Sequence, residues 1–484
     1  MPSGLIHPTA STLAQGPALP APAGKRAPFG WPVAAVPTLG GGSLTLSWVK
    51  PPATATASAL RITTGIDDRE CKRIAVRTTE GRVLGEFDLR FAHALETFSL
   101  PLPADLPSAS FTSGLVLEMT TGTSPLWLLA PAVAAEAPGM APHLLDAAAP
   151  IDPVEAFLNH LHSPDCQHTW GWMEGCVLDG LERLHAVYPE RGYDTVRRAH
   201  LARFFTADGR LLSETPRSQP HDDAIDNIES TVMFAALASA DPRQPWLDRA
   251  VAYWRHEAGA DGAVLDGAML SAEGSYTIGW PMARLATLRN DAALATAALR
   301  QLEIRREQLW HEDNFWLRWY PANHDRTFRN WARGLAWHFL GSVRTAQELA
   351  GDPRLDAVIA DLRRLTELVL RHQRADGLWN CFIDDPQGTP DTSGSAGIGA
   401  ALALAGAHGW IEAKSARTAA SRTWRGLLPH LTADGRLGGV SQSNRGGEEL
   451  QRSTYRVLSA MGAGLAAQLH ATLQMTDGHP RSHA

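Results

Sequence analysis

From residue 153 onward the chain alternates between two textures of apolar and polar positions. Charged stretches with apolar residues at helical spacing, such as DTVRRAHLARFF, WLDRAVAYWRHEA, LDAVIADLRRLTELVLRHQ and SARTAASRTWRGLLPHL, predict amphipathic helices with one face in solvent. Between them lie segments of small apolar residues with few charges: NIESTVMFAALA, YTIGWPMARLATL, WARGLAWHFLGSV, SGSAGIGAALALAGA and YRVLSAMGAGLAAQL. A helix that is apolar all round is buried, so these read as inner helices shielded by the charged outer ones. With PVEAFLNHLH and WGWMEGCVLDGLERLHAVY at the front, six helices of each kind are expected. The predicted fold is mainly α, an (α/α)6 barrel over residues 152–472 with a tail at 473–484.

A repeat in the connections supports this count. TADGRL occurs at 206–211 and again at 432–437, GADGAVL and RADGLWN carry weaker copies, and HEDNFWL places Asp313 where a further one falls. The spacings between Asp208, Asp261, Asp313, Asp376 and Asp434 are 53, 52, 63 and 58 residues, too long for the common helical solenoids. Each Asp-Gly is expected to end an outer helix, with Gly left-handed at the stop and Asp supporting the turn.

Ahead of the helices the period changes to that of strands. SLTLSWV, ALRITTGI, KRIAVRT, RVLGEFDL, ETFSLPL, GLVLEMTT and PLWLLAP are separated by turn residues, which predicts a β-sandwich over residues 31–130. Residues 1–30, rich in Pro, Ala and Gly, read as a disordered lead, and residues 131–151 as an Ala/Pro linker. Such a module could bind carbohydrate or pack against the barrel, the second being favoured because a fold alone implies no function.

Composition narrows the function classes. A net charge of −7 over 484 residues argues against a nucleic-acid partner. No apolar run approaches the ~20 residues that span a bilayer. The N-terminus lacks a basic start and an apolar core, so it is no convincing signal peptide. The four cysteines show no metal-ligand pairing and make no disulfide framework. A cytoplasmic protein with free thiols follows, with no membrane partner.

Candidate chemistry falls in the loops that enter the inner helices, where helix dipoles present their positive ends. Thirteen of the sixteen tryptophans lie in the helical part, and Trp170, Trp172, Trp331 and Trp337 sit beside polar loop residues. Asp226 and Asp266 stand where a loop meets an apolar segment, which raises a carboxyl pKa and suits a general acid. Asp222, Asp223, Glu174 and Glu273 are held in reserve. His168, His221, His256 and His324 also fall near this rim without paired ligand spacing, so no metal is expected.

WARGLAW at 331–337 resembles the W-x-R-G-x-x-W signature of the unsaturated glucuronyl and rhamnogalacturonyl hydrolases, glycoside hydrolase families 88 and 105. WGWMEGCVLDGL, AIDNIESTVM, VLDGAML and DGLWNCFIDDP with DTSGSAGIGAALA resemble further family segments in the same order, over about residues 152–470. The resemblance implies Asp266 as the acid/base and Asp226 as the second aspartate. It also implies Trp331, Arg333 and Trp337 as substrate-binding residues, with Arg333 holding the uronate carboxylate. Trp170, Trp172, His221, Ser393 and Ser395 complete the expected substrate-binding set. The implied reaction hydrates the enol ether of a 4,5-unsaturated uronic acid at the non-reducing end of an oligosaccharide, with no cofactor. The alternatives are an exo-acting glycosidase on saturated uronosides using two carboxylates, an epimerase on the same barrel, and a noncatalytic carbohydrate-binding protein.

Overall fold

The computed structural model describes residues 8–51, 57–146 and 152–478. Six amphipathic outer helices, Pro153–His160, Tyr193–Ala202, Trp246–Glu257, Ala292–Leu309, Leu355–Arg371 and Ala413–Leu427, alternate with six inner ones. The inner helices are Trp172–Val187, Met233–Ala240, Trp280–Arg289, Ala332–Glu348, Thr392–Ala407 and Ala460–Gly478. Each inner helix packs on the next, and the sixth packs on the first, so the inner layer closes into a ring. Small residues permit this close approach: a Cβ on Gly464 would stand 2.3 Å from the Cys176 carbonyl oxygen, and one on Gly341 2.3 Å from the Ser275 carbonyl carbon.

The repeated Asp-Gly segments form tight turns at the same end of the ring. In the four full copies the first residue donates its N–H to the carbonyl four positions on, as in Thr206 to Arg210 and Thr432 to Arg436. The glycines, with φ of 82°, 86°, 88° and 84° at 209, 262, 377 and 435, are left-handed as expected. They lie several residues beyond the helix ends, however, so the turn is a separate hairpin and not a helix cap. Each turn touches the next outer helix. Trp246 Nε1 donates to the Gly209 carbonyl at 3.2 Å, Gln301 Nε2 to that of Gly262 at 2.7 Å, and Thr423 Oγ1 to that of Gly377 at 3.0 Å. Arg364 pairs with Asp313 at 3.2 Å. The last turn returns to the first outer helix, where a Cβ on Gly435 would meet the Ala156 carbonyl oxygen at 2.1 Å.

In front of the helices stand two larger antiparallel sheets and a strand pair. One sheet orders its strands Leu13–Gln15, Leu44–Ser47, Leu115–Thr121, Asp68–Thr78 and Val83–Ala92; the other orders Thr9–Ala10, His143–Asp146, Ala57–Thr63 and Thr97–Pro101. Leu46, Ile74, Val76 and Leu117 from the first share one apolar core with Leu60, Ile62, Leu100 and Leu144 from the second.

Three expected boundaries need correction. Residues 9–15 are no disordered lead, since they pair with 143–144 and 45–47, and Arg26 forms ion pairs with Glu214 and Asp222 at 2.6 Å each. The stretch 131–151 is no simple linker, because His143–Asp146 is an interior strand of the second sheet; 147–151 lie outside the described residues. The expected tail from 473 begins as the end of the sixth inner helix, which runs to Gly478.

The two parts are joined by buried polar contacts. Arg61 pairs with Asp434 of the last Asp-Gly turn, whose carboxyl Arg61 and Arg436 hold well below its ordinary range in spite of burial. Gln442 Nε2 donates to Glu96 at 2.8 Å, and Arg436 Nη2 to the Gly139 carbonyl at 2.8 Å.

Candidate active site

The N-terminal ends of the first four inner helices open on one cleft, reached by Trp172, Asn227, Glu229, Tyr276, Arg333 and the 443–445 loop. Its aromatic lining is ordered. Trp172 meets Trp337 edge-on at 5.9 Å, Trp337 stacks on Tyr276 at 5.7 Å, and Tyr276 stacks on Trp280 at 5.0 Å. Trp170 also lines the cleft, wedged among Phe204, Phe205 and Phe234 with its indole Nε1 unpartnered. Tyr276 and Thr277 lie on a single π-helical turn, Ser275–Gly279, that enters the third inner helix; such turns recur at functional sites.

Above this lining Glu229, Asp266 and Glu273 bring their carboxylate oxygens within 4.8 Å of one another. Local backbone explains each placement. Asn227 caps the 3-10 turn Ile228–Val232 that leads into the second inner helix, accepting the N–H groups of Glu229 and Ser230, which sets Glu229 in that turn. Asp266 closes a tight hairpin with Met269 in which Gly267 takes φ 58°. The short strand Leu270–Ser271, paired with Arg318 and Trp319, then delivers Glu273. Arg445 faces the group, 3.3 Å from Asp266 and 3.4 Å from Glu229, while Asn444 Nδ2 donates to Glu273 at 2.9 Å.

Three acids around one half-exposed guanidinium cannot all ionise easily. Burial, then the charge of Glu273, raises Glu229 to about 7. The same two causes in the same order raise Asp266 above the usual carboxylate range. Asp226 stands at the cleft wall with Oδ2 accepting from Asn227 Nδ2 at 2.7 Å, and desolvation raises its carboxyl as well.

The expected residues therefore divide. Asp226, Trp170, Trp172 and Trp337 line the cleft, and Asp266 joins its acid group. Arg333 also lines it, but the expected uronate role needs correction: Nη1 and Nη2 donate to the carbonyls of Ser441 and Gln442 at 2.9 and 2.6 Å, beside Trp331. Its guanidinium anchors the loop that leads to Asn444 and Arg445. Trp331 is 1% exposed in the core, with Nε1 donating to Gln451 at 3.3 Å, so it is a packing residue. Ser393 and Ser395 are fully buried, one on Asp391 and the other on the Trp379 main chain, and neither reaches the cleft. His221 is half-buried outside the lining, close enough to Asp226 for its charge to act on that carboxyl.

Of the reserves, only Glu273 belongs to the acid group. Glu174 is buried on His168 N and His200 Nδ1, while Asp222 and Asp223 pair with Arg26 and Arg210. His168 is buried in an adjoining recess, His256 is exposed on an outer helix, and His324 lies against Trp319. Sequence reasoning missed Glu229, Tyr276, Asn444 and Arg445. For Glu229 the signal was present, since IESTVMF sets an acid in a more apolar context than AIDN does.

Aromatic rings beneath mutually repelling acids, with a cation at their edge, define a cleft suited to cutting saccharides. The chain belongs to Glycosyl Hydrolase Family 88, whose family model matches residues 155–476. It is similar, at 26% identity over 140 residues, to the unsaturated 3S-rhamnoglycuronyl hydrolase of Alteromonas sp. (strain LOR), covering 28% of this chain and 34% of that protein. The match thus spans about a third of that relative's length. Among solved structures, a possible member of the GH105 family from Salmonella enterica aligns with a TM-score of 0.56 at 18% identity, covering 63% of this chain and 83% of that one. A glycosyl hydrolase family 88 protein from Bacteroides vulgatus aligns with a TM-score of 0.53 at 16% identity, covering 66% and 98%. At these identities the likeness is one of fold. The family match begins at residue 155, so the sheets lie outside it.

Proposed function

We propose that the protein is a glycoside hydrolase that removes a non-reducing-end 4,5-unsaturated uronic acid from an anionic oligosaccharide, on an (α/α)6 barrel preceded by a β-sandwich. The observation that carries this reading is the Glu229–Asp266–Glu273 group against Arg445, set over the Trp172–Trp337–Tyr276 lining. Family membership and the Alteromonas relative point the same way.

In this mechanism Asp266, whose carboxyl pKa is raised by burial and by Glu273, gives its proton to C4 of the enol ether, and positive charge develops at C5. Water adds to C5 and passes its proton to the Asp266 carboxylate, which restores the acid. The hemiketal so formed opens and the remaining sugar is released. Arg445 is the partner for the uronate carboxylate, because its contacts to Asp266 and Glu229 are long for charge-assisted bonds and leave donors to offer. Asp226, across the cleft, serves as the second acid. Trp170, Trp172 and Trp337 present ring faces and edges to the sugars. Cytoplasmic residence belongs to the same proposal and is supported by four cysteines that form no disulfide; no described helix is long and apolar enough to cross a membrane.

A two-carboxylate glycosidase is the second reading, favoured by Glu229 beside Asp266, one acid near 7 and its neighbour able to act as nucleophile or base. Turnover of a lyase-generated unsaturated disaccharide beside its saturated uronoside counterpart separates the two. Hydration needs the C4=C5 bond, so only the unsaturated substrate is cleaved, with loss of the enol-ether absorbance, whereas cleavage of the saturated uronoside at a comparable rate removes the hydration mechanism.

A further inference from the structure

The cleft is not built by the helices alone. Arg69 and His93, both from the sheets, reach its lining. They flank the last rung of one hairpin, in which Asp68 of strand Asp68–Thr78 pairs with Ala92 of strand Val83–Ala92. The ladder shifts register between Asp68 and Cys71, a bulge that contains Arg69. Bulges re-aim side chains and gather beside functional sites. Phe91 on the other strand and Leu95 in the turn that follows it hold φ of 56° and 65°, costly for side chains of this size. The hairpin end is thus irregular on both strands where it meets the cleft.

Arg69 is held firmly. Its Nε and Nη2 pair with Asp67 at 2.9 and 2.7 Å, Nη2 also donates to the Pro216 carbonyl, and the guanidinium covers the Phe91 ring at 4.5 Å. Its Nη1 has no acceptor among the described residues. His93 is 8% exposed and its main-chain N–H is fixed by Glu96 at 3.0 Å, yet its ring Nε2 is buried without a partner. An orphaned buried nitrogen is costly, so its site is one where a ligand group can supply the missing bond. Burial above all, and then the guanidiniums of Arg69, Arg333 and Arg445, keep the imidazole uncharged.

We propose that Arg69 and His93 form a subsite for an acidic group, carboxylate or sulfate, carried by the bound saccharide, so that the sheets select the substrate that the helices cleave. This rests on the hydrolase reading above. The chemistry is shared by both anions: a fixed guanidinium with a free N–H beside a neutral imidazole able to donate from Nε2.

The test titrates the cleft tryptophans by fluorescence with three saturated disaccharides: a neutral one, one ending in glucuronic acid, and a neutral one bearing a single sulfate ester. Wild-type protein should bind one of the acidic probes at least about tenfold more tightly than the neutral one. Arg69→Gln should lower that probe's affinity by about ten- to a hundredfold and leave the neutral probe unchanged, and the probe that suffers names the anion. His93→Gln should weaken the same probe by a smaller factor, and it decides the matter if Arg69→Gln does not fold. Equal wild-type affinity for all three probes, or equal losses on all three in the variants, overturns the subsite. Wild-type protein that prefers an acidic probe but never turns over unsaturated substrate overturns the hydrolase reading and leaves the subsite standing.

Discussion

The two ends of the helical ring solve the same electrostatic problem in opposite ways. At the closed end Arg284 lies between two acids, with Nε on Glu348 at 2.8 Å and Nη1 and Nη2 on the two Glu182 oxygens at 3.0 and 2.9 Å. At the open end Arg445 meets Glu229 and Asp266 at 3.4 and 3.3 Å while Glu273 turns to Asn444. The ingredients are alike, arginine set among glutamates and aspartates, but the closed end carries more arginines, with Arg344 and Arg197 also near Glu182, and the outcome is reversed. In spite of burial, Arg284 and Arg344 hold Glu182 below its ordinary range; burial and Glu273 push Glu229 up to about 7. A bidentate guanidinium fixes charge and, with its bonds to Ala235 and Ser239, holds four inner helices together, whereas a loosely placed one leaves protons available for chemistry.

The largest effect expected from this contrast is catalytic. Asp266→Asn keeps the shape and removes both proton transfers, so kcat should fall by about two to four powers of ten, with KM and the melting temperature little changed. Loss of folding in place of activity would mean that the open end is structural after all. Next comes Arg284→Ala, which leaves Glu182 and Glu348 without their shared cation and should cost about 3–5 kcal/mol of stability in denaturant unfolding. Per folded molecule its kcat should be unaltered; an equal loss of kcat would couple the two ends.

The smallest effect sharpens the comparison through pH. Glu229 holds its proton in the folded protein up to about 7, while the unfolded chain releases it near 4.5. Between those values the folded state binds more protons, so its stability declines as pH rises from about 4.5 to about 7 and is level above. Glu229→Gln removes that decline. Unfolding at pH 5 and pH 8 should show the variant gaining on the wild type by on the order of 2–3 kcal/mol at the higher pH. A constant difference across the range would place an ordinary, ionised carboxylate at 229.

The helices were legible because the outer ones repeat their apolar positions and the inner ones are apolar all round, and the seven strands expected between residues 43 and 131 because short β-type runs stand between turn residues. Strands Thr9–Ala10, Leu13–Gln15, Val33–Val36 and His143–Asp146 escaped because two to four residues carry no period, and several lie among prolines. In the site, Asp266, Trp172 and Trp337 were legible from motif and loop position. Trp331, Ser393 and Ser395 were misplaced because less than two helical turns separate a residue on the cleft from one packed away from it, as Trp337 and Trp331 show. Arg445 was hidden in SNRGGEEL, which reads as a solvated loop until Arg333 fixes the segment before it.

The five Asp-Gly-type turns, each seated on the next outer helix and the last on the first, also fix a number. An open stack of repeats can gain or lose a unit at its end and keep every other contact, so such proteins vary in length by duplication. Here a seventh unit would have no neighbour to meet without parting Gly435 from Ala156, and a fifth could not bridge the gap. Growth is confined to what hangs from the ring, such as the 310–329 strands and the sheets in front. New specificity in this architecture arrives by attachment, with the count of repeats held constant.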